Sequence, residues 1–194
     1  MIHYVSGDIL LSNAKAIAHG VAAKDPMTQG LARLLHEKFP AMHKDYHHWC
    51  DQAHPEPGSA WMWGGTDGVR VINLITQEGG YGHGSRPGRA TLKHVRDALR
   101  ELALIAEREG FASLALPRLA TGVGGLDWHD VKPVVEERLG ELAIPVYVYA
   151  EYHAGKTAVE PKAGQRRRPL VGRAPQAGRR LRSSGSLCGS RRLD

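Results

Sequence analysis

Apolar and polar positions change period several times along the first 153 residues, and each change predicts an element. Residues 2–5 (IHYV) alternate and close at Ser6, Gly7 and Asp8, which predicts an opening strand. Residues 16–19 (AIAH) form a short apolar run, a second and buried strand, followed by a polar, proline-containing loop over 22–29. From Gly30 the spacing becomes helical, with Leu31, Leu34, Leu35 and Phe39 on one face. Pro40 ends that helix and can open the next, over 41–52, because a first-turn N–H has no helical partner to lose. Residues 60–63 and 69–76 read as strands joined through the turn 64–68 (GGTDG), a hairpin. Residues 89–109 carry the longest stripe, Leu92, Val95, Leu99, Leu102, Ile105 and Ala106, stopped by Gly110. A strand at 114–116 follows, then a helix over 128–139 with Asp127 as its N-cap, then a last strand over 144–149. Strands alternating with helices predict a three-layer α/β/α sandwich with a mixed, largely parallel sheet.

Two stretches fall outside this patterning. Residues 114–128 (LALPRLATGVGGLDW) run from a strand through Thr121, Gly122, Val123, Gly124 and Gly125 into a helix start. Strand, glycine loop and helix N-terminus together bring bare N–H groups toward an anion. A tight glycine turn with no ligand fits the same residues, since a single glycine-rich turn is a weak signal. Residues 77–88 (QEGGYGHGSRPG) form a glycine-rich loop without core formers, and loops of about a dozen residues are often functional. His83 lies inside that loop; imidazole is the side chain whose ordinary pKa suits proton transfer, and a solvated loop histidine fits the position as well.

Charge changes the picture only once it is divided. The net +6 of the 194 residues is concentrated after residue 154, where eleven Lys/Arg stand against two acids; the first 154 residues hold fifteen bases and eighteen acids. The basic character therefore belongs to the end of the chain and is no argument that the patterned part binds nucleic acid. Residues 154–194 are rich in Gly, Arg, Ser and Pro without aliphatic periodicity, which predicts a basic disordered tail behind a folded part at 1–153. Its Arg166–Arg168 and Arg179–Arg180 clusters could contact nucleic acid weakly and salt-sensitively, or have no role. No run of eighteen apolar residues predicts a membrane helix, and the start lacks the pattern of a secretory leader. Two widely separated cysteines, Cys50 and Cys188, suit a reducing cytoplasm. His43, His47, Cys50 and His54 read as a polar helix face and not as a metal site, because His54 lies beyond the helix. Trp61 and Trp63 share a strand face and read as packing.

Four segments in register, 4–10 (YVSGDIL), 19–32, 73–77 and 117–128, are similar to a macrodomain over residues 1 to about 152. Within that superfamily the chain resembles the branch of the terminal ADP-ribose protein glycohydrolase and the bacterial DNA ADP-ribosyl glycohydrolase antitoxins. The resemblance implies ADP-ribose bound across the carboxyl ends of the strands. It implies that the Asp8 carboxylate accepts from the adenine amine, with the Ile9 N–H also at the ring, and that Tyr149 packs nearby, although a core tyrosine fits as well. Thr28, Gln29 and Gly30 fall on the first diphosphate and distal-ribose loop, where Thr28 and Gln29 depart from a glycine-rich pattern, and His19, where that segment begins, is counted with the ligand-binding residues. Residues Thr121, Gly122, Val123, Gly124 and Gly125 match the second phosphate loop.

The same resemblance fails at the catalytic positions. Relatives carry a lysine after the 73–76 strand, and here the residue is Gln77; some place an aspartate where this chain has Gly124. The expected activity is therefore hydrolysis of mono-ADP-ribosyl linkages on protein carboxylates or on thymidine in DNA. A water positioned by Gln77 attacks, and His83 is the candidate for proton transfer. A reader that binds ADP-ribose without turnover is the alternative. No cofactor and no metal are implied. The partners implied are ADP-ribose with ADP-ribosylated protein or single-stranded DNA and no membrane, and the chain is expected to be a cytoplasmic monomer.

Overall fold

Strand β4, Arg70–Gln77, is covered on both faces, with every residue from 71 to 77 buried. Its side chains alternate between two cores, Ile72 and Leu74 on one face and Val71 and Ile75 on the other. A strand covered on both faces needs apolar residues on both, and the polar Asn73 within this run is paired with His19. The computed structural model describes residues 1–66, 68–79 and 86–161. Around β4 stand β1 (Ile2–Gly7), β2 (Ala16–Ala22), β3 (Ala60–Gly64), β5 (Leu114–Pro117) and β6 (Val146–Tyr152), in the order β1-β6-β5-β2-β4-β3. All neighbours are parallel except β3, which pairs antiparallel with β4 as the predicted hairpin.

Helices α3 (Leu92–Arg108) and α4 (Trp128–Leu139) cover one face of the sheet. The α3 stripe is buried through Val95, Ala98, Leu99, Leu102, Ile105 and Ala106, as its spacing predicts. Each fully buried leucine of this core, Leu99, Leu102, Leu114 and Leu116 among them, contributes on the order of 1.5–3 kcal/mol relative to exposure. The other face is shared. Helices α1 (Gly30–Lys38) and α2 (Pro40–Ala53) cover the half that carries β2, β4 and β3, where Trp61 and Trp63 pack beside Tyr46, Trp49 and Phe39. The remaining half, with Ile17, Ala115, Tyr147 and Tyr149, is closed by Ile9 of a short 3-10 turn and by Ala158.

Several boundaries differ from the sequence expectation for local reasons. Helix α3 starts at Leu92 and not at Arg89, because Thr91 caps the amide of His94 at 3.1 Å and Ala90 bridges to Gln77. Strand β6 starts at Val146, after Pro145, which has no N–H to pair, and runs on to Tyr152 because Glu151 and Tyr152 pair in backbone register with Ser6 and Gly7. The expected end of the folded part at residue 153 falls inside a segment that still packs. Residues 154–161 hydrogen-bond to Asp8, Asn13 and Tyr149, and Ala158 is 8% exposed. The rest of the expected tail, including the arginine clusters and Cys188, lies outside the described residues.

Candidate functional site

From β2 the chain proceeds to the β4 side of the sheet, and from β5 to the β6 side, so the direction of winding reverses between β2 and β5. At such a switch point the loops leaving two parallel strands diverge and open a crevice at their carboxyl ends. A cleft of about 1300 Å³ lies there. His19, Gly20, Thr76 and Gln77 line its floor; Thr28, Gln29 and Gly30 stand on one wall and Thr121, Gly122, Val123 and Gly124 on the other; Tyr149 and residues 150–152 close one end.

The loop after β5 is shaped by its own backbone. Ala120 takes φ +59 and Gly125 φ +72; Gly125 donates to the Gly122 carbonyl at 3.1 Å and Leu126 to that of Ala120 at 3.0 Å. The amides of Gly122, Val123 and Gly124 donate to no group among the described residues. Gly125 itself does not line the cleft. Asp127 ends the loop by capping α4 through the amide of His129 at 2.8 Å, so its carboxylate is spent there.

The opposite wall is built on Asp25, a residue that no hydrophobic pattern singles out. Its two oxygens accept from the amides of Ala22 at 3.2 Å and Met27 at 2.7 Å, and His47 Nε2 donates to its carbonyl at 2.8 Å. Burial raises its pKa despite those amides. An Asp-Pro pair after an apolar strand was the available signal, since aspartate binding its own backbone two residues on is a turn former. The loop delivers Gln29 to the start of α1 without a side-chain cap, so that the first-turn amides remain open where Gly30, Leu31 and Ala32 line the cleft. Three cations also line it: Lys24, paired with Asp51, and Arg86 and Arg118.

On the floor, His19 is 1% exposed and its Nε2 donates to Asn73 Oδ1 at 2.7 Å. Burial lowers its pKa from 6.5 to about 4, with the Asn73 contact offsetting part of the effect, so the ring is neutral; its Nδ1 has no partner among the described residues. Thr76 Oγ1 is likewise buried, with no partner among the described residues. Gln77, 4% exposed, ends β4 at the cleft, where the family resemblance leads one to expect lysine. Tyr149 donates its hydroxyl to Glu160 at 2.9 Å, and burial together with that carboxylate raises its pKa.

Asp8 and Ile9 sit just beyond the Tyr149–Tyr152 end and are not part of the cleft lining. His83 lies outside the described residues. The group on α2 is no uniform polar face: Cys50 is buried in the core, while His43 stacks on His36 at 3.9 Å and beside His47 at 4.3 Å. Among the described residues no three or more metal-ligating side chains converge, and no helix is long and apolar enough to cross a membrane.

The Macro domain family model matches residues 18–135. A DNA ADP-ribosyl glycohydrolase of Mycobacterium tuberculosis is 28% identical over 169 residues, covering 86% of this chain and 46% of the relative, so the chain spans less than half the length of that curated protein. Among solved structures, the macrodomain of Mycobacterium tuberculosis DarG matches with a TM-score of 0.69 and 26% identity, covering 77% of this chain and 97% of that one. The macrodomain of Thermus aquaticus DarG matches with a TM-score of 0.68 and 25% identity, over 77% and 98% of the two chains.

Proposed function

The chain belongs to the Macro domain family, and from that premise we propose that its cleft binds ADP-ribose and hydrolyses mono-ADP-ribosyl linkages on protein carboxylates or on the thymidine base of DNA. The observation that carries the reading is the pair of facing anion donors. Amides of 122–124 that donate to nothing among the described residues and the uncapped start of α1 line the same cleft, together with Arg118 and Arg86. A diphosphate lying between these walls would replace water on N–H groups that the fold leaves open, and helix and loop dipoles favour its charge. Thr28, Gln29 and Gly30 then serve one phosphate and the distal ribose, and Thr121, Gly122, Val123, Gly124 and Gly125 the other. Adenine lies toward Tyr149, with the Asp8 carboxylate and the Ile9 amide at its edge.

Hydrolysis requires water oxygen to bond to C1″ of the distal ribose as its bond to the carboxylate or base breaks. The water's proton passes to solvent or a base, and the leaving group departs with the electron pair. Gln77, at the buried floor, holds and orients that water, and the anionic diphosphate stabilises the developing oxocarbenium charge. His83 is the proposed proton carrier.

A second reading has its own support. Gln77 stands in place of a lysine and Gly124 in place of an acid, which favours a reader that holds ADP-ribose without turnover. Calorimetry of the full chain with ADP-ribose tests binding. Turnover of ADP-ribosylated protein and ADP-ribosylated single-stranded DNA, assayed side by side, separates hydrolase from reader and names the linkage. The absence of any ADP-ribose binding would sink both readings.

A further inference from the structure

The turn formed by residues 153–156 grips the end of β1. His153 donates its amide to the Gly7 carbonyl at 3.1 Å, Asp8 donates to the Lys156 carbonyl at 2.7 Å, and Gly155 donates to Oδ2 of Asp8 at 3.0 Å. The turn is closed by Lys156 N to His153 O at 3.1 Å, and Gly155 sits at φ +69, where other residues are strained. The fit is tight from both sides, because a Cβ on Gly7 would lie 2.7 Å from the Lys156 oxygen. Farther on, Ala158 is buried against Val5, Ile9 and Tyr149. Glu160 accepts from Ser12 Oγ, from the Asn13 amide at 3.0 Å and from the Tyr149 hydroxyl at 2.9 Å, and Tyr147 donates its hydroxyl to the Pro161 carbonyl at 2.8 Å. The segment is therefore latched at both ends. At the first of these latches the Asp8 carboxylate is held by two fixed amides, Leu10 on Oδ1 at 3.0 Å and Gly155 on Oδ2. It cannot rotate without losing one of them, and each oxygen keeps a lone pair free.

We propose that residues 153–161 form a clasp that sets the base selectivity of the cleft, fixing the Asp8 carboxylate as an acceptor that favours a purine with an exocyclic amine over one with a carbonyl there. The proposal rests on the reading of the cleft as an ADP-ribose site with Asp8 at its adenine end. An amine donates to the fixed carboxylate, whereas a carbonyl presents a second acceptor to it and leaves a polar pair unsatisfied, a mismatch that discriminates strongly. A carboxylate released from the clasp turns toward water and discriminates less.

Calorimetry of the full chain with ADP-ribose and with inosine diphosphate ribose reads the ratio directly. The unmodified protein is expected to prefer ADP-ribose by roughly tenfold or more, the value of one hydrogen bond to a charged group. Gly155→Pro removes the amide and cannot adopt the positive φ; it is expected to bring the ratio toward one while affinity for inosine diphosphate ribose stays within about threefold. Glu160→Gln loosens only the far latch and is expected to give an intermediate ratio, which decides the matter if Gly155→Pro does not fold. An unchanged ratio in the folded variant overturns the clasp, as does equal affinity of the unmodified protein for both ligands. Binding of neither ligand by the unmodified protein overturns the ADP-ribose reading and the clasp with it.

Discussion

Ala90 donates its amide to the carbonyl of Gly124 at 3.0 Å, tying the approach to α3 to the glycine loop that follows β5. The contact draws the two backbones so close that position 124 has no room for a side chain. A Cβ there would lie 2.6 Å from the Ala120 oxygen and 3.0 Å from the Ala90 methyl. Glycine at 124 is therefore part of how the loop packs, and an acid there, as the family resemblance leads one to expect in some members, would not fit beside Ala90 and Ala120.

Gly124→Asp, which would reintroduce that acid, is expected to destabilise the protein by about 1–3 kcal/mol, as overpacking does. The loss appears as a Tm lowered by several degrees. No gain in hydrolysis is expected, because the loop must shift to admit the side chain. A stable variant with faster turnover would show that the loop rearranges freely and that the Ala90 contact does not constrain the site.

Gly122→Glu separates packing from binding. A Cβ at 122 meets nothing within 4 Å and the residue is exposed, so stability should change by no more than about 0.5 kcal/mol. The added carboxylate would sit among the unpaired amides and oppose a diphosphate, and calorimetry should find ADP-ribose binding abolished. Unchanged affinity would mean that the ligand sits elsewhere.

These contrasts between neighbouring glycines mark what sequence could and could not supply. The period of α3, the Asp127 cap and the 60–77 hairpin depend on local spacing, and each was legible within one continuous stretch of sequence. The anion loop was legible as glycine density, but the separate duties of Gly122 and Gly124 were not, since they depend on Ala90 and Ala120 approaching from elsewhere. Asp25 was hidden because its partners are backbone amides, which no side-chain pattern announces. Residues 154–161 were hidden more thoroughly. They carry no period, and they are held by one small apolar contact and by hydrogen bonds, of which those to Asp8 and Asn13 reach back 147 positions along the chain.

Gln77→Ala is expected to lower kcat by about a hundredfold, the loss that accompanies misplacing a reacting group by ~1 Å. Affinity for ADP-ribose should stay within a few fold, because the anion donors on the cleft walls are untouched. Single-turnover kinetics on an ADP-ribosylated substrate, together with calorimetry, make the measurement. An unaffected rate would remove Gln77 from the mechanism.

The pH dependence of stability should carry the imprint of His19. Its pKa is held down from 6.5 to about 4 by burial, so the unfolded chain binds a proton that the folded chain refuses. Its contribution is thus complete above pH 6.5 and is lost as pH falls from 6.5 toward 4, by up to about 3 kcal/mol. His43, lowered to about 4 by burial with His47 and His36 beside it, pulls in the same direction. Asp25 runs the other way: its raised pKa makes the folded state the better proton acceptor, so its effect favours the fold as pH falls. Urea melts of the unmodified protein and of His19→Gln between pH 7 and pH 4.5 isolate the histidine from both. Glutamine can still donate to Asn73 but cannot titrate, so the variant should lose less stability across that window. Parallel curves for the two proteins would show that His19 takes up its proton in the folded state as readily as in the unfolded one.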